Sequence, residues 1–181
     1  MLRSLAKFFR RNGARFCAAR NGATAVEFAL IAPAFLGTLI AVLETTLFLF
    51  AQATLQNAAV TGGRMFMTGQ AQNSNLTQAQ FVNDICPMIS ALFTCANVMV
   101  NIQNYANFSS ASASAPTLTY NAQGQVNNNW NYNAGTPGQV MVVQLIYQWP
   151  IVGGPLGSVL SNLGNNTAEI MGVTAFRVEP Y

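Results

Sequence analysis

The sequence predicts an α+β protein. A long N-terminal helix, apolar enough to cross a membrane, precedes a small domain with one short helix and an antiparallel sheet of three to four strands. Three observations predict this. Residues 23–51 (ATAVEFALIAPAFLGTLIAVLETTLFLFA) are almost continuously apolar. Residues 79–93 (AQFVNDICPMISALF) carry apolar side chains at helical spacing. Residues 139–149 (QVMVVQLIYQW) and 168–178 (AEIMGVTAFRV) are rich in β-branched and aromatic residues, and Pro150 and Pro180 follow them.

The first 22 residues are basic, with Arg3, Lys7, Arg10, Arg11, Arg15 and Arg20 and no acid. After them the run Phe28–Leu43 is uncharged, and apolar character resumes beyond Glu44 as far as Ala51. A bilayer core needs about 20 mainly apolar residues, so the stretch is long enough to span with tilt. Positive charge on its N-terminal side, and none just after it, predicts a cytoplasmic N-terminus and an external C-terminus. Pro33 lacks the N–H owed to the residue four back and should kink or relax one turn. The helix is expected to continue, now mixed with Gln52, Gln56 and Asn57, to about Met67. Gly62-Gly63 should weaken it by about 1 kcal/mol each, and Gly69 is a suitable stop. The expected organisation is a leader over 1–22, a helix over 23–68 and a domain over 69–181.

In the domain, residues 70–78 read as a polar loop. Thr77 is the candidate N-cap of the helix over 79–93, whose apolar face is Phe81, Ile85, Met88, Ile89 and Leu92 with Pro87 inside it. Val98, Val100 and Ile102 alternate with Met99, Asn101 and Gln103, the pattern of a half-buried strand. Residues 106–138, rich in Asn, Ser, Ala and Gly, read as a long loop with a short strand at 117–120. Residues 151–167, rich in Gly, Pro and Asn, connect the last two strands.

Composition excludes several functions. The chain has no histidine, which removes Ser-His-Asp and Cys-His catalysis and every His-ligated metal site. No P-loop, nucleophile motif or metal-ligand cluster is present, so neither an enzyme nor a cofactor is expected. Only 7% of residues are charged, against about 25% in ordinary soluble proteins. Polarity comes from Asn, Gln, Ser and Thr, which suits an exported, self-associating chain. The net charge of +3 resides in the leader. From Ala23 onward Arg64 and Arg177 face Glu27, Glu44, Asp84, Glu169 and Glu179. No basic patch remains there, so nucleic acid is not an expected partner. Tyr120, Trp130 and Tyr132 among asparagines could form a sugar-contacting loop. Folding back onto the sheet is the better expectation. Cys17 lies in the leader, while Cys86 and Cys95 can pair if their part of the chain reaches an oxidising compartment.

Glu27 is a carboxylate at the start of an apolar helix, and at mid-span a charge costs about 2.5–3.5 kcal/mol on insertion scales. Two readings are open. It is an interfacial acid at the positive end of the helix dipole. Alternatively, a cut after Gly22 leaves a free amine on Ala23, one turn away, and Glu27 pairs with that amine or with a neighbour's. Glu44, about 25 Å further along an ideal helix, reads as an interfacial acid, with a pairing role in a helix bundle as the second option. Ala25, Ala29, Ala32, Gly37 and Ala41 would permit close helix packing.

Gly22-Ala-Thr-Ala-Val-Glu27-Phe28 resembles the prepilin-type processing motif of the Tad/Flp pilus system, and the apolar run with Pro33 resembles the anchor of its TadE-like pseudopilins. Further points of similarity are Gly63-Arg64 leading into Thr68-Gly69-Gln70-Ala71-Gln72, the Cys86 and Cys95 pair, Tyr147-Gln-Trp149-Pro150, and Phe176-Arg177-Val-Glu179-Pro180-Tyr181. Val178 departs from the Asn or Thr more usual in that family. The resemblance implies cleavage between Gly22 and Ala23 by a prepilin-type peptidase, a membrane aspartyl enzyme acting on the cytoplasmic side. It implies a minor pilin or assembly factor that works with a second pseudopilin, the major Flp pilin, and the inner-membrane Tad platform and ATPase. It puts the C-terminal domain in the periplasm, with incorporation into an extracellular pilus as an extension. There Cys86 and Cys95 are expected to be disulfide-bonded, while Cys17 stays reduced and leaves with the leader.

Two alternatives are an uncleaved single-pass envelope protein and a secreted domain. For the latter, Ala51-Gln52-Ala53 matches a signal-peptidase site, but the signal would be unusually long and Glu27 would have no role. The mature N-terminus separates the three readings: Ala23, Met1 or Thr54.

Overall fold

The computed structural model describes residues 22–152, 161–163 and 166–180. The leader up to residue 21, with Cys17 and all six of its basic residues, lies outside them, as do residues 153–160 and 164–165 of the last connection and Tyr181. The elements run α1 (Ala23–Met67), α2 (Gln70–Asn73), α3 (Gln78–Ile89), a 3-10 turn (Cys95–Asn97), β1 (Met99–Tyr105), β2 (Val140–Pro150) and β3 (Thr167–Arg177). The strands form one antiparallel sheet in the order β1-β2-β3. This is the α+β architecture that the sequence predicts. The chain divides into two units, Met1–Leu43 and Glu44–Tyr181, and α1 contributes to both.

In the first unit α1 continues through Pro33. Its apolar side chains are uncovered, with Phe28 73%, Leu30 75%, Ile31 66% and Phe35 63% exposed. Thr38 Oγ1 donates to the Ala34 carbonyl at 2.9 Å, satisfying its hydroxyl inside the helix.

The second unit is built on the last part of α1. Ala51, Leu55, Ala58, Ala59 and Phe66 are fully buried, and their spacing sets one helix face against the sheet. That sheet face comprises Val100 and Ile102 of β1, Met141, Val143, Leu145, Tyr147 and Trp149 of β2, and Ala168 and Ile170 of β3. Register places Leu145 between Val100 and Gly172, and Tyr147 beside Ile170. α3 covers the rest of the face with Phe81, Ile85 and Ile89. The ring of Phe66 meets Phe81 edge-on at 5.3 Å and Tyr132 at 6.0 Å. Phe93 meets Tyr147 at 5.0 Å and Trp149 at 5.6 Å.

Glycine makes the close approach possible. A Cβ on Gly172 would run into the Leu55 carbonyl oxygen. On Gly63 it would stand 2.6 Å from Thr174 Cγ2 and 3.0 Å from the Phe176 ring, and on Gly62 2.8 Å from the Phe81 ring. Gly62-Gly63, expected as a weak point of the helix, is where α1 touches both β3 and α3. The lost helix propensity is offset by packing that a larger residue would prevent.

Backbone groups on both sheet edges find partners. β3 is an edge strand whose outward backbone groups would otherwise stand open. Gln56 supplies them: its Nε2 donates to the Val173 carbonyl at 2.7 Å and its Oε1 accepts from the Val173 N–H at 2.9 Å. Gln52 Nε2 donates to the Met171 carbonyl at 2.7 Å. At the other edge, Ile102 N–H donates to the Asn131 carbonyl at 2.7 Å and Asn133 N–H to the Ile102 carbonyl at 3.2 Å. Residues 131–133 of the long loop thus occupy the free edge of β1.

The same loop explains a departure from the expected alternation. Asn101 and Gln144, polar residues on the other sheet face, are only 4% exposed. They face each other across β1 and β2, and Asn101 Nδ2 donates to Gln144 Oε1 at 2.7 Å. Gln144 Nε2 donates to the Ser114 carbonyl, and Asn131 N–H to Asn101 Oδ1. Two buried amides therefore hold the loop on the sheet with their hydrogen-bonding capacity in use.

Other expectations hold with shifted ends. The helix over 79–93 is α3, capped by Thr77 through a capping box with Gln80, but it stops at Ile89. Residues 70–78, read as loop, include the one-turn helix α2, preceded by Gly69 at φ 76°. In place of a strand at 117–120 there is an isolated bridge between Tyr120 and Val126. A disulfide joins Cys86 in α3 to Cys95 in the turn before β1, Cα to Cα 5.7 Å. By chain entropy a loop this short contributes about 2–3 kcal/mol.

Replacing Gln56 by Ala removes both partners of Val173 at once. The expected loss is about 1–3 kcal/mol, with Gln52→Ala smaller because it removes one bond. Chemical unfolding in detergent, followed by tryptophan fluorescence, measures both.

Candidate functional site

Gly22, the residue before the expected cut, is exposed, and a Cβ built on it would meet nothing within 4 Å. It immediately precedes α1. Glu27 is exposed in the second turn of α1. These residues therefore lie close together at the start of the helix. The exposed apolar surface follows directly, from Val26 at 54% through Leu43 at 62%. α1 has a mean hydropathy of 2.2 in its most apolar window, none of which is buried. By length and composition it can cross a membrane.

Glu44 is half-buried, and its Oε1 is shielded without a hydrogen-bond partner. Beyond it the helix changes character. Leu47, Leu49 and Phe50 remain exposed at 47%, 59% and 60%, whereas Phe48 packs on the domain core and Ala51 is fully buried. Arg64, in the last turn, is exposed, a cation at the negative end of the helix dipole.

Residues 22–64 match the family described as TadE-like protein. The match begins at Gly22, just before α1, runs along α1 to Arg64 and stops before the sheet. It includes both the exposed apolar part and the part built into the domain. It agrees with the resemblance drawn from Gly22, Glu27 and the Pro33-containing run. It concerns this segment of the chain alone. No curated protein and no solved structure matched the chain.

The residues that join the TadE-like segment to its domain are Gln52, Gln56, Gly62 and Gly63. In the sequence the two glutamines read only as polar interruptions of the helix. The available signal was their spacing of four, beside Leu55 and Ala59 on one helix face. Of the three loop aromatics, Tyr132 folds back as expected: its hydroxyl donates to the Leu76 carbonyl at 2.8 Å. Burial, reinforced by the Asp84 carboxylate, pushes that phenol up to about 12. Trp130 is half-buried. Tyr120 is 43% exposed and its hydroxyl accepts from Gln148 Nε2.

Glu169, on β3 opposite Gln148, has a shielded Oε1 without a partner, and burial raises its carboxyl above the ordinary range. Because the folded state holds this proton more tightly, stability is highest below the unfolded carboxyl value of about 4.3. It falls as pH rises through the raised folded value. Glu169→Gln should therefore raise the melting temperature at pH 7 and leave it nearly unchanged at pH 4. Paired melting curves at the two pH values check this.

Proposed function

We propose that this chain is a membrane-anchored, TadE-like pseudopilin that supports assembly of a Tad/Flp-type adhesive pilus. A prepilin-type peptidase removes the basic leader between Gly22 and Ala23. α1 then crosses the inner membrane with its N-terminus cytoplasmic, and the α+β domain stands in the periplasm. The observation that carries this reading is the coincidence of the family match over residues 22–64 with a helix that serves two environments. Its first part exposes apolar side chains that no other described residue covers, and its last part is a structural member of the domain core. The Cys86–Cys95 disulfide fits an oxidising compartment.

Partners follow from the same reading: the peptidase on the cytoplasmic side, then a second pseudopilin, the major Flp pilin and the inner-membrane platform. The role is structural, with no catalytic step. Release by signal peptidase after Ala53 fits poorly, because it would remove fully buried Ala51 and the bond from Gln52 to β3.

In this account Gly22 serves cleavage and Glu27 serves assembly. Where anchors bundle away from water, the new amine of Ala23 needs a carboxylate, and leaving one member of such a pair alone is costly. In a deletion strain complemented with each variant, Gly22→Leu should accumulate full-length precursor. Glu27→Gln should be processed normally yet give no pili by electron microscopy. Normal processing of the first variant, or normal pili from the second, would contradict the assigned role.

A further inference from the structure

β3 and the last part of α1 run in the same direction. Met171 lies at Gln52, Val173 at Gln56 and Phe176 at Gly63. Beyond β3, Glu179 N–H donates to the Met67 carbonyl. The beginning of β3 therefore points back along the helix, toward the residues before Gln52. The connection from β2 returns there: Ile151 N–H donates to the Asn166 carbonyl at 2.8 Å. From Met171 to Asn166 is five residues of extended chain, about 16 Å. The same distance is about ten residues of helix. The end of the sheet that carries Ile151 and Val152 thus reaches back to the level of Glu44.

Val152 is 74% exposed at this end, although Ile151 beside it is buried in the core. On the helix at the same level, Leu47, Leu49 and Phe50 are 47%, 59% and 60% exposed. No lysine or arginine occurs between Arg20 and Arg64 or between Arg64 and Arg177, so this end offers no cation for headgroup phosphates.

We propose that this end of the domain is a second membrane contact: Val152 enters the outer boundary of the bilayer's apolar layer beside Leu47, Leu49 and Phe50. The proposal rests on the reading of α1 as the membrane anchor, whose exposed apolar surface it continues. The contact then brings this end of the domain to the lipid surface. A lipid surface is the occupant because the patch is continuous with helix surface that lipid already covers.

The test uses the full chain in phospholipid bilayers, in a Cys17→Ser background that keeps the Cys86–Cys95 disulfide. Single cysteines replace Val152, Leu36 and Thr68 in turn and carry a nitroxide spin label. Accessibility is read with oxygen, which partitions into lipid, and with a neutral nickel chelate, which stays in water. The expected result is oxygen-dominated relaxation at positions 36 and 152 and nickel-dominated relaxation at 68. Nickel-dominated relaxation at 152, with 36 still oxygen-dominated, overturns the second contact and leaves the anchor intact. Shielding of 152 from both reagents means contact with protein and overturns it too. Nickel access at 36 overturns the anchor reading itself.

Discussion

The side chain of Gln56 holds the two halves of the domain's architecture together. By giving and accepting a hydrogen bond at Val173, it acts as the strand that β3 lacks. A three-stranded sheet beside a helix would ordinarily present an open edge, and open edges invite strand addition from other chains. Here the helix is both the lid of the core and the cap of that edge. The cap requires the helix backbone to come close, hence Gly172 against the Leu55 carbonyl and Gly63 against Thr174 and Phe176. One constraint, a helix close enough for a glutamine to reach strand backbone, accounts for the positions of all three residues.

The rest of the unit follows from closing what remains. Residues 131–133 occupy the β1 edge, and the preceding part of that loop lies over the far face, held by Asn101 and Gln144. A protein with so few charges cannot keep sheet edges apart by repulsion, so it uses amide side chains to satisfy them. The Asn- and Gln-rich composition is thus partly a structural inventory of hydrogen-bonding groups.

The elements were legible where a period or a cap wrote them into adjacent residues. The alternation before Gln103 marks β1, the apolar run after Gln139 marks β2, and Thr77 with Gln80 marks the start of α3. The helix end near Met67 was legible from Gly69. What was hidden depends on contacts far apart in sequence. Gln52 and Gln56 meet residues more than a hundred positions away, and nothing near them says that an edge strand will arrive. Gly62-Gly63 reads as weakness until Phe81 and Thr174 are set against it. Asn101 reads as solvent-facing because an irregular loop, with no period of its own, covers it. At the N-terminus, Gly22 and Glu27 are legible as a spacing, and the roles proposed for them depend on partners outside the chain.

The central claim is that the last part of α1 and the sheet are one cooperative unit, joined at the β3 edge. Native-state hydrogen exchange under increasing denaturant measures it most directly, following the amides of Leu55, Leu145 and Val173. The account predicts that all three converge on a single opening reaction, because Val173 N–H is held by a helix that can leave only when the core opens. Rapid exchange at Val173 while Leu145 stays protected would contradict it, since α1 would then be detached from an intact sheet.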